Sequence, residues 1–160
     1  MSFDLSVIPN KNIVLAVTGG IAAYKSAILV RRLKDAGFNV RVVMTEGAQA
    51  FITPLTFQAL SGNPVHTELL NPEAEAGMGH IELARWADLL LVAPASCDTL
   101  AKFAAGLADD LLSTLYLATK SPVWVAPAMN QQMWAAKATQ RNLNTLVEDG
   151  VHVIMPDAGS

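Results

Sequence analysis

The 160-residue sequence has one cysteine, few charged residues and no long apolar run, and each shortage narrows what the chain can be. The single cysteine, Cys97, excludes an internal disulfide framework and fits a reducing compartment, so we expect a cytoplasmic protein. No apolar run approaches the roughly 20 residues of a membrane-spanning helix. The start, MSFDLSVIPN, lacks the basic and apolar regions of a signal peptide.

The charge balance also excludes a class of partner. The net charge is −3 and only 16% of residues are charged, which argues against nucleic acid as the main partner. Apolar residues make up 52% of the chain, and the mean hydropathy is +0.34. One domain of this size buries roughly 68–70% of its unfolded surface. We attribute the apolar excess to strands buried on both faces and to a subunit interface.

Apolar runs alternate with helical patterns after a short leader, residues 1–11, so residues 12–160 are read as one domain. The runs predict strands at 12–18, 38–44, 88–94, 123–127 and 151–155. Helices are predicted at 21–36, 80–87, 96–105, 109–119 and 130–148, with a helix broken around Pro54 in 46–60 and a short extended piece in 64–70. This alternation predicts an α/β fold, a doubly wound Rossmann or flavodoxin-like parallel sheet with helices on both faces.

Four unusual loops follow predicted strands. They are TGGIAAYK (18–25), MTEGA (44–48), APASCDT (93–99) and APAMNQQMW (126–134). Ligands of doubly wound sheets bind beyond the carboxyl ends of the strands, so we expect all four loops to border one crevice. The last loop is the least ordinary, because it combines Asn130 with two methionines and a tryptophan and has no charge. A solvated turn usually carries Asp, Ser, Gly or Lys.

The loop TGGIAAYK leads from a strand into a helix. Gly19 and Gly20 would expose backbone N–H groups at the helix N-terminus, where anions bind, although a simple tight turn has the same composition. The G-x-G-x-x-G of dinucleotide sites is missing. Tyr24 occupies the second glycine position of a P-loop, so a triphosphate site and a P-loop kinase are also disfavoured.

Hydroxyl groups and histidines supply the other candidates. Thr45 and the pair Ser96 and Thr99 could bond a phosphate or a heterocycle, or could simply cap helices. His80 begins a helix, and no cluster of acids or cysteines accompanies it at metal-ligand spacing, so no metal site is predicted. By itself a lone histidine is compatible with a structural role as well as a catalytic one. The remaining histidines, His66 and His152, look structural, and Cys97 looks like a small packing residue.

Taken together, the motifs resemble those of the flavin-containing cysteine decarboxylases, and most closely the branch that acts on phosphopantothenoylcysteine. The match runs over nearly the whole chain beyond the leader, and the residues that carry it are GGIAAYK (19–25), TEGAQAFITPL (45–55), GHIELARWAD (79–88), PASCDT (94–99), AAGLADDLL (104–112) and PAMNQQMW (127–134). PAMNQQMW corresponds to the family signature P-x-M-N-x-x-M-W and PASCDT to PASANT. A histidine and these two motifs in this order are a specific combination.

The resemblance implies an FMN-dependent decarboxylase of 4′-phospho-N-pantothenoylcysteine in coenzyme A biosynthesis. It implies His80 as the catalytic residue and Asn130, with Met129, as the substrate-binding site. The implied FMN contacts are Gly19, Gly20, Ile21, Thr45, Ser96, Thr99 and Ala128. It also implies a homotrimer, which in the family can gather into a dodecamer, with FMN between subunits.

The implied reaction oxidises the cysteine before CO₂ leaves, because direct decarboxylation would leave an unstabilised carbanion. The family continues into a flap whose cysteine donates the last proton. This sequence ends at PDAGS before that motif, so we expect the natural protein to continue through the flap and into a ligase domain. Two further interpretations remain: a flavin prenyltransferase, which the pairing of His80 with PAMNQQMW disfavours, and a flavodoxin-like electron carrier, which needs neither feature.

Overall fold

A computed structural model describes residues 11–69 and 78–155. Within these ranges one sheet contains five parallel strands: β1 (Asn12–Val17), β2 (Asn39–Met44), β3 (Leu89–Ala95), β4 (Val123–Pro127) and β5 (His152–Val153). Their order across the sheet is β2-β1-β3-β4-β5. This is the order of doubly wound, flavodoxin-like sheets, in which the chain changes direction between β1 and β3, and it confirms the predicted fold class.

Helices cover both faces of the sheet. In the same ranges they are α1 (Ala23–Asp35), α2 (Pro54–Ser61), α3 (His80–Trp86), α4 (Cys97–Ala105), α5 (Leu111–Ala118), α6 (Gln131–Ala135) and α7 (Lys137–Glu148), with a 3₁₀ helix at Gly47–Ala50. One apolar cluster joins the sheet to α1 and α2, and the other joins it to α3, α4, α5 and α7. Every helix within the described ranges falls short of the length and apolar character needed to cross a bilayer.

The interior strand β1 is apolar on both faces. Ile13, Leu15 and Val17 belong to the cluster with α1, whereas Val14 and Ala16 belong to the opposite cluster. All five side chains are fully buried. A strand covered on both faces has no solvent side, which explains the continuous apolar run in the sequence.

Residues 130–148 form two helices, so the single helix predicted from their periodicity is wrong. Ala136 has an extended backbone (φ −58°, ψ 138°) and separates α6 from α7. The side-chain Nε2 of Gln140 donates to the backbone carbonyl of Trp134 at 2.7 Å and satisfies an acceptor that the break would leave free. The short α6 thus stands as a separate unit directly after β4.

The other differences from the predicted elements lie at their ends. Helix α1 begins at Ala23 because residues 19–22 form the turn, and β5 covers two residues of the predicted 151–155. The region 46–60 resolves into the 3₁₀ helix and α2, which begins at Pro54, a residue suited to a first helical turn. The predicted leader up to residue 10, the end of the predicted extended piece at residue 70 and the final residues 156–160 lie outside the described residues.

His66 lies in the extended piece predicted for 64–70. Its backbone pairs in parallel with β2, donating to the carbonyl of Val42 and accepting from the N–H of Met44, both at 2.9 Å. The residue is only 3% exposed. His152 belongs to β5, and its ring lies 5.0 Å from that of Trp124. Both histidines therefore occupy positions within or beside the sheet.

Candidate functional site

A cleft of about 650 Å³ opens at the carboxyl ends of the strands, between the start of α1 and the loop that joins β4 to α6. Residues 20–22, 24 and 25 form one wall, and residues 126–131 and 134 form the other, with 94, 154 and 155 between them. Three of the four predicted loops therefore contribute. The loop 44–48 does not line the cleft, which corrects the expectation that all four border one crevice.

The predicted site residues divide between this cleft and its surroundings. Those that line it are Gly20, Ile21, Ala128, Met129 and Asn130. Those that do not line it are Gly19, Thr45, Ser96, Thr99 and His80. The cleft also includes side chains to which the sequence assigned no role, above all Lys25 and Trp134, although both lie within the quoted motifs.

The turn from β1 to α1 presents free backbone donors. Among the described residues, none accepts a hydrogen bond from the N–H groups of Gly19, Gly20 or Ile21. Gly20 has φ +145°, a conformation that side chains rarely adopt, and a Cβ placed there would meet nothing within 4 Å. The turn therefore offers unpaired N–H groups and open space beside α1, which suits an anion.

Gly19 has a different role from Gly20, because it lies against another backbone. A Cβ on Gly19 would come within 3.2 Å of the carbonyl carbon of Gly47, in the 3₁₀ helix after β2. Thr45 lies just before that 3₁₀ helix, and its Oγ1 accepts from the N–H of Ala48 at 3.3 Å. The loop 44–48 thus supports the glycine turn from behind while lying outside the cleft.

Thr18 joins the first and third strands at the same edge, and sequence reasoning assigned it no role. Its Oγ1 donates to the carbonyl of Pro94 at 2.7 Å and accepts from the N–H of Ser96 at 2.8 Å. The side chain is fully buried. A threonine at the end of an apolar strand was the available signal, since a buried hydroxyl requires partners.

Ser26 makes a second connection between α1 and β3. Its hydroxyl donates to the carbonyl of Ala93 at 2.6 Å, and the residue is fully buried. Together with Thr18, this contact fixes the start of α1 and the end of β3 relative to each other. The wall that contains Gly20 is therefore held by hydrogen bonds as well as by apolar contacts.

The hydroxyls of the APASCDT loop are engaged in capping. The Oγ of Ser96 accepts from the N–H of Thr99 at 3.1 Å and donates to its Oγ1 at 3.0 Å. Thr99 keeps its own hydroxyl hydrogen for another acceptor, but it is only 5% exposed. Cys97 is directed elsewhere, with its Sγ 3.5 Å from the Oγ1 of Thr139. The hydrogen bonds of this loop therefore show Ser96 as a helix cap.

Asn130 lies in the opposite wall and caps α6. Its Oδ1 accepts from the N–H of Met133 at 2.9 Å, whereas no described residue accepts a hydrogen bond from its Nδ2. Met129, Gln131 and Trp134 lie beside it in the same wall. The wall therefore presents one amide that a helix cap orients, next to two large apolar side chains.

His80 stands apart from this arrangement. It is the first residue of α3, follows Gly79 at the N-cap, and is partly exposed. It does not line the cleft. Within the described ranges no three His, Cys, Asp or Glu side chains are grouped closely enough to hold a metal ion.

The AAGLADDLL segment carries an ionic network outside the cleft. The Nζ of Lys102 lies 3.6 Å from Asp98, 3.3 Å from Asp109 and 3.6 Å from Asp110. Burial alone would lower the pKa of Lys102, but attraction to Asp110 and the other two carboxylates outweighs it, so the pKa is raised. The network ties α4 to the start of α5, which Asp110 and Ser113 close with a capping box. Its role is structural.

The sheet order and the cleft at its carboxyl edge define an α/β protein of the flavodoxin-like class. Comparison of the sequence with known families identifies the family. A family model described as Flavoprotein matches residues 4–160, and the chain belongs to that family.

Relatives with known names narrow the comparison. The chain is 61% identical over 150 residues to the coenzyme A biosynthesis bifunctional protein CoaBC of Escherichia coli (strain K12). The aligned region covers 94% of this chain but only 37% of that protein. The chain thus spans little more than a third of the length of such relatives. Among solved structures, it is similar to the FMN-dependent cysteine decarboxylase SpaF (TM-score 0.87, 34% identity, 96% of this chain and 88% of that one).

A second solved structure is similar as well. It is a cysteine-to-serine mutant of a PPC decarboxylase, complexed with pantothenoylaminoethenethiol (TM-score 0.75, 35% identity, 90% of this chain and 81% of that one). These matches confirm the resemblance to flavin-dependent cysteine decarboxylases.

Proposed function

We propose that the chain binds FMN and decarboxylates 4′-phospho-N-pantothenoylcysteine to 4′-phosphopantetheine, in coenzyme A biosynthesis in the cytoplasm. The observation that carries this proposal is the cleft itself, in which the free N–H groups of the glycine turn face a wall with a single oriented amide, Asn130. The similarity to CoaBC and to two flavin-dependent or PPC decarboxylases supports the same activity.

The residues of the cleft fit FMN. The unpaired N–H groups of Gly19, Gly20 and Ile21 suit a phosphate at the start of α1, and the apolar side chains of Ile21, Met129 and Trp134 suit a flat ring system. When bound, FMN supplies the two-electron oxidation and reduction that this reaction requires. Ser96, Thr99 and Thr45 shape the loops around the site, and no described residue accepts a hydrogen bond from the hydroxyl of Thr99 or of Thr45, so both can donate to FMN.

Asn130 binds the substrate carboxylate through Nδ2. A neutral amide holds a carboxylate in place without the strong ionic stabilisation that would oppose its loss as CO₂. Met129 and Trp134 place apolar surface beside this amide in the cleft. His80 transfers a proton at the substrate thiol or carboxylate, as histidines do near neutral pH.

Because His80 does not line the cleft of its own chain, we propose that a second copy brings it to the site, within a homotrimer that can gather into a dodecamer. Exposed apolar side chains outside the cleft support such contacts: Phe51, directly after the 3₁₀ helix, is 53% exposed, and Leu55 of α2 is 70% exposed. Light scattering should give a particle of at least three chains, and an FMN-bound monomer would contradict the assembly.

The function is tested by incubating the FMN-loaded protein with 4′-phospho-N-pantothenoylcysteine without oxygen and following CO₂ and product mass. Release of CO₂ with either the saturated product or a product two hydrogens poorer supports the proposal. Reversible reduction of the flavin without any CO₂ would favour an electron carrier instead. Turnover of dimethylallyl phosphate with FMN would favour a prenyltransferase.

A further inference from the structure

Lys25 is the one residue with a full charge at neutral pH among the described residues that line the cleft. It lies in the first turns of α1, its side chain is exposed, and no carboxylate in the described ranges forms an ion pair with it. An ammonium group without a counter-charge, at the edge of a largely apolar cavity, favours an anionic ligand.

The position of Lys25 suggests which part of a ligand it meets. Lys25 and Tyr24 also border a second, shallower hollow of about 270 Å³ that follows α1 past Ile28 to Arg32. Lys25 therefore stands at the rim where the two hollows adjoin, and Arg32 adds a second cation along the same helix face. The deeper part of the cleft has the glycine turn on one side and Asn130 on the other.

We propose that Lys25 binds the terminal phosphate of the substrate and so makes the site selective for the phosphorylated form. This inference rests on the proposed function. The substrate carries two anionic groups joined by a long arm of low charge, and the cleft offers Asn130 for one, Lys25 for the other and apolar side chains such as Ile21 and Met129 between them. In this arrangement the phosphate group of the bound substrate lies at the rim of the cleft, beside Lys25.

A phosphomonoester is also present in FMN, so the two sources must be separated. The free N–H groups of residues 19–21 already provide donors for a cofactor phosphate at the turn. Lys25 lies beyond that turn and borders the outer hollow. This position suits the phosphate at the end of a long substrate better than the cofactor phosphate, which the turn itself would bind.

The test compares 4′-phosphopantetheine with pantetheine, which differ by one phosphate, in calorimetric titrations of the FMN-loaded protein. The wild type should bind the phosphorylated compound more tightly. Lys25→Gln should reduce that preference about tenfold, equivalent to about 1.4 kcal/mol, while its affinity for pantetheine and its FMN content stay unchanged. Lys25→Arg should retain most of the preference. Arg31→Gln removes an exposed cation of α1 that borders neither hollow, and should behave as the wild type.

Each other outcome overturns the inference in a distinct way. If Lys25→Gln keeps the full preference for phosphate, the inference fails while the proposed function stands. If the variant loses FMN, Lys25 holds the cofactor phosphate instead. If the wild type binds neither compound, the proposed substrate is wrong and the inference fails with it.

Discussion

Asn130 and Met133 are joined by a hydrogen bond of 2.9 Å, in which the backbone N–H of Met133 donates to the side-chain Oδ1 of Asn130. The N–H of Met133 needs an acceptor, and only the oxygen of the Asn130 amide can accept. The bond therefore fixes Oδ1 towards the helix. The Nδ2 donor is left for the cleft that Asn130 lines. One side chain therefore combines a helix cap with a donor of fixed orientation.

The two roles of Asn130 can be separated by substitution. Asn130→Asp keeps a good N-cap, so we expect a nearly unchanged melting temperature. It replaces the Nδ2 donor by a carboxylate facing the substrate carboxylate, and substrate binding should fall by about 100-fold. Asn130→Ala loses the cap as well and should cost about 1 kcal/mol of stability. Substrate affinity that survives in Asn130→Asp would show that Nδ2 does not contact the carboxylate.

Gly20 tests the placement of the cofactor phosphate. Gly20→Asp sets a carboxylate beside the free N–H groups of the turn, and the purified protein should lose most of its flavin absorbance. The change also strains the backbone, because Gly20 has φ +145°. Gly20→Ala imposes the same strain without charge and should retain more FMN than the aspartate variant. Equal flavin contents in the two variants would assign the effect to strain alone.

His80 is predicted to act across a subunit boundary. His80→Asn should fold and bind FMN but lose about 10²–10⁴-fold in the rate of CO₂ release, the usual contribution of a positioned acid–base group. Asn130→Asp should also be inactive by itself. When the two inactive variants are unfolded together and reassembled, some sites receive a wild-type His80 and a wild-type Asn130 from different chains, and activity should return.

The same mixture shows whether one chain or two chains supply His80 and Asn130 to a site. If mixed oligomers stay as inactive as either variant, both residues belong to one chain, and the proposed contribution of a second copy is wrong. If His80→Asn alone keeps the wild-type rate, the histidine is structural. Reassembled wild type is the control for losses during refolding.

Much of the fold could be predicted from the sequence because parallel strands buried on both faces appear as continuous apolar runs, as in β1. The ends of helices and strands were harder to predict. The break at Ala136 depends on one extended residue and on the bond from Gln140 to Trp134, and neither changes the helical periodicity of 130–148. Local patterns record which residues are apolar, but they do not record single backbone angles.

The site divides in the same way. The glycine turn and PAMNQQMW could be predicted because each follows the carboxyl end of a parallel strand, where ligands of doubly wound sheets bind. The position of His80 relative to the cleft could not, since it depends on how α3 packs against the sheet, which no local pattern records. Thr18 was missed because its function is to join two loops 76 positions apart, a contact that no local pattern contains.

The last prediction concerns acid stability and rests on His66, which lies beside β2 and is nearly inaccessible to water. Burial, and to a smaller degree the charge of Arg41, lowers the pKa of His66 below its usual value of 6.5. The folded state therefore takes up fewer protons than the unfolded state once the pH falls below about 6.5, and the free energy of unfolding should decrease there by at most about 1.4 kcal/mol per pH unit. Above that pH the contribution is complete and constant.

Urea unfolding of wild type and His66→Gln between pH 5 and pH 8 checks this expectation. The variant has no group to protonate at this position, so its stability should fall less steeply below pH 6.5 than that of the wild type. His152→Gln replaces an exposed histidine of β5 and should keep the wild-type slope. Parallel curves for wild type and His66→Gln would mean that the acid sensitivity arises elsewhere, and that His66 takes up a proton equally in the folded and unfolded states.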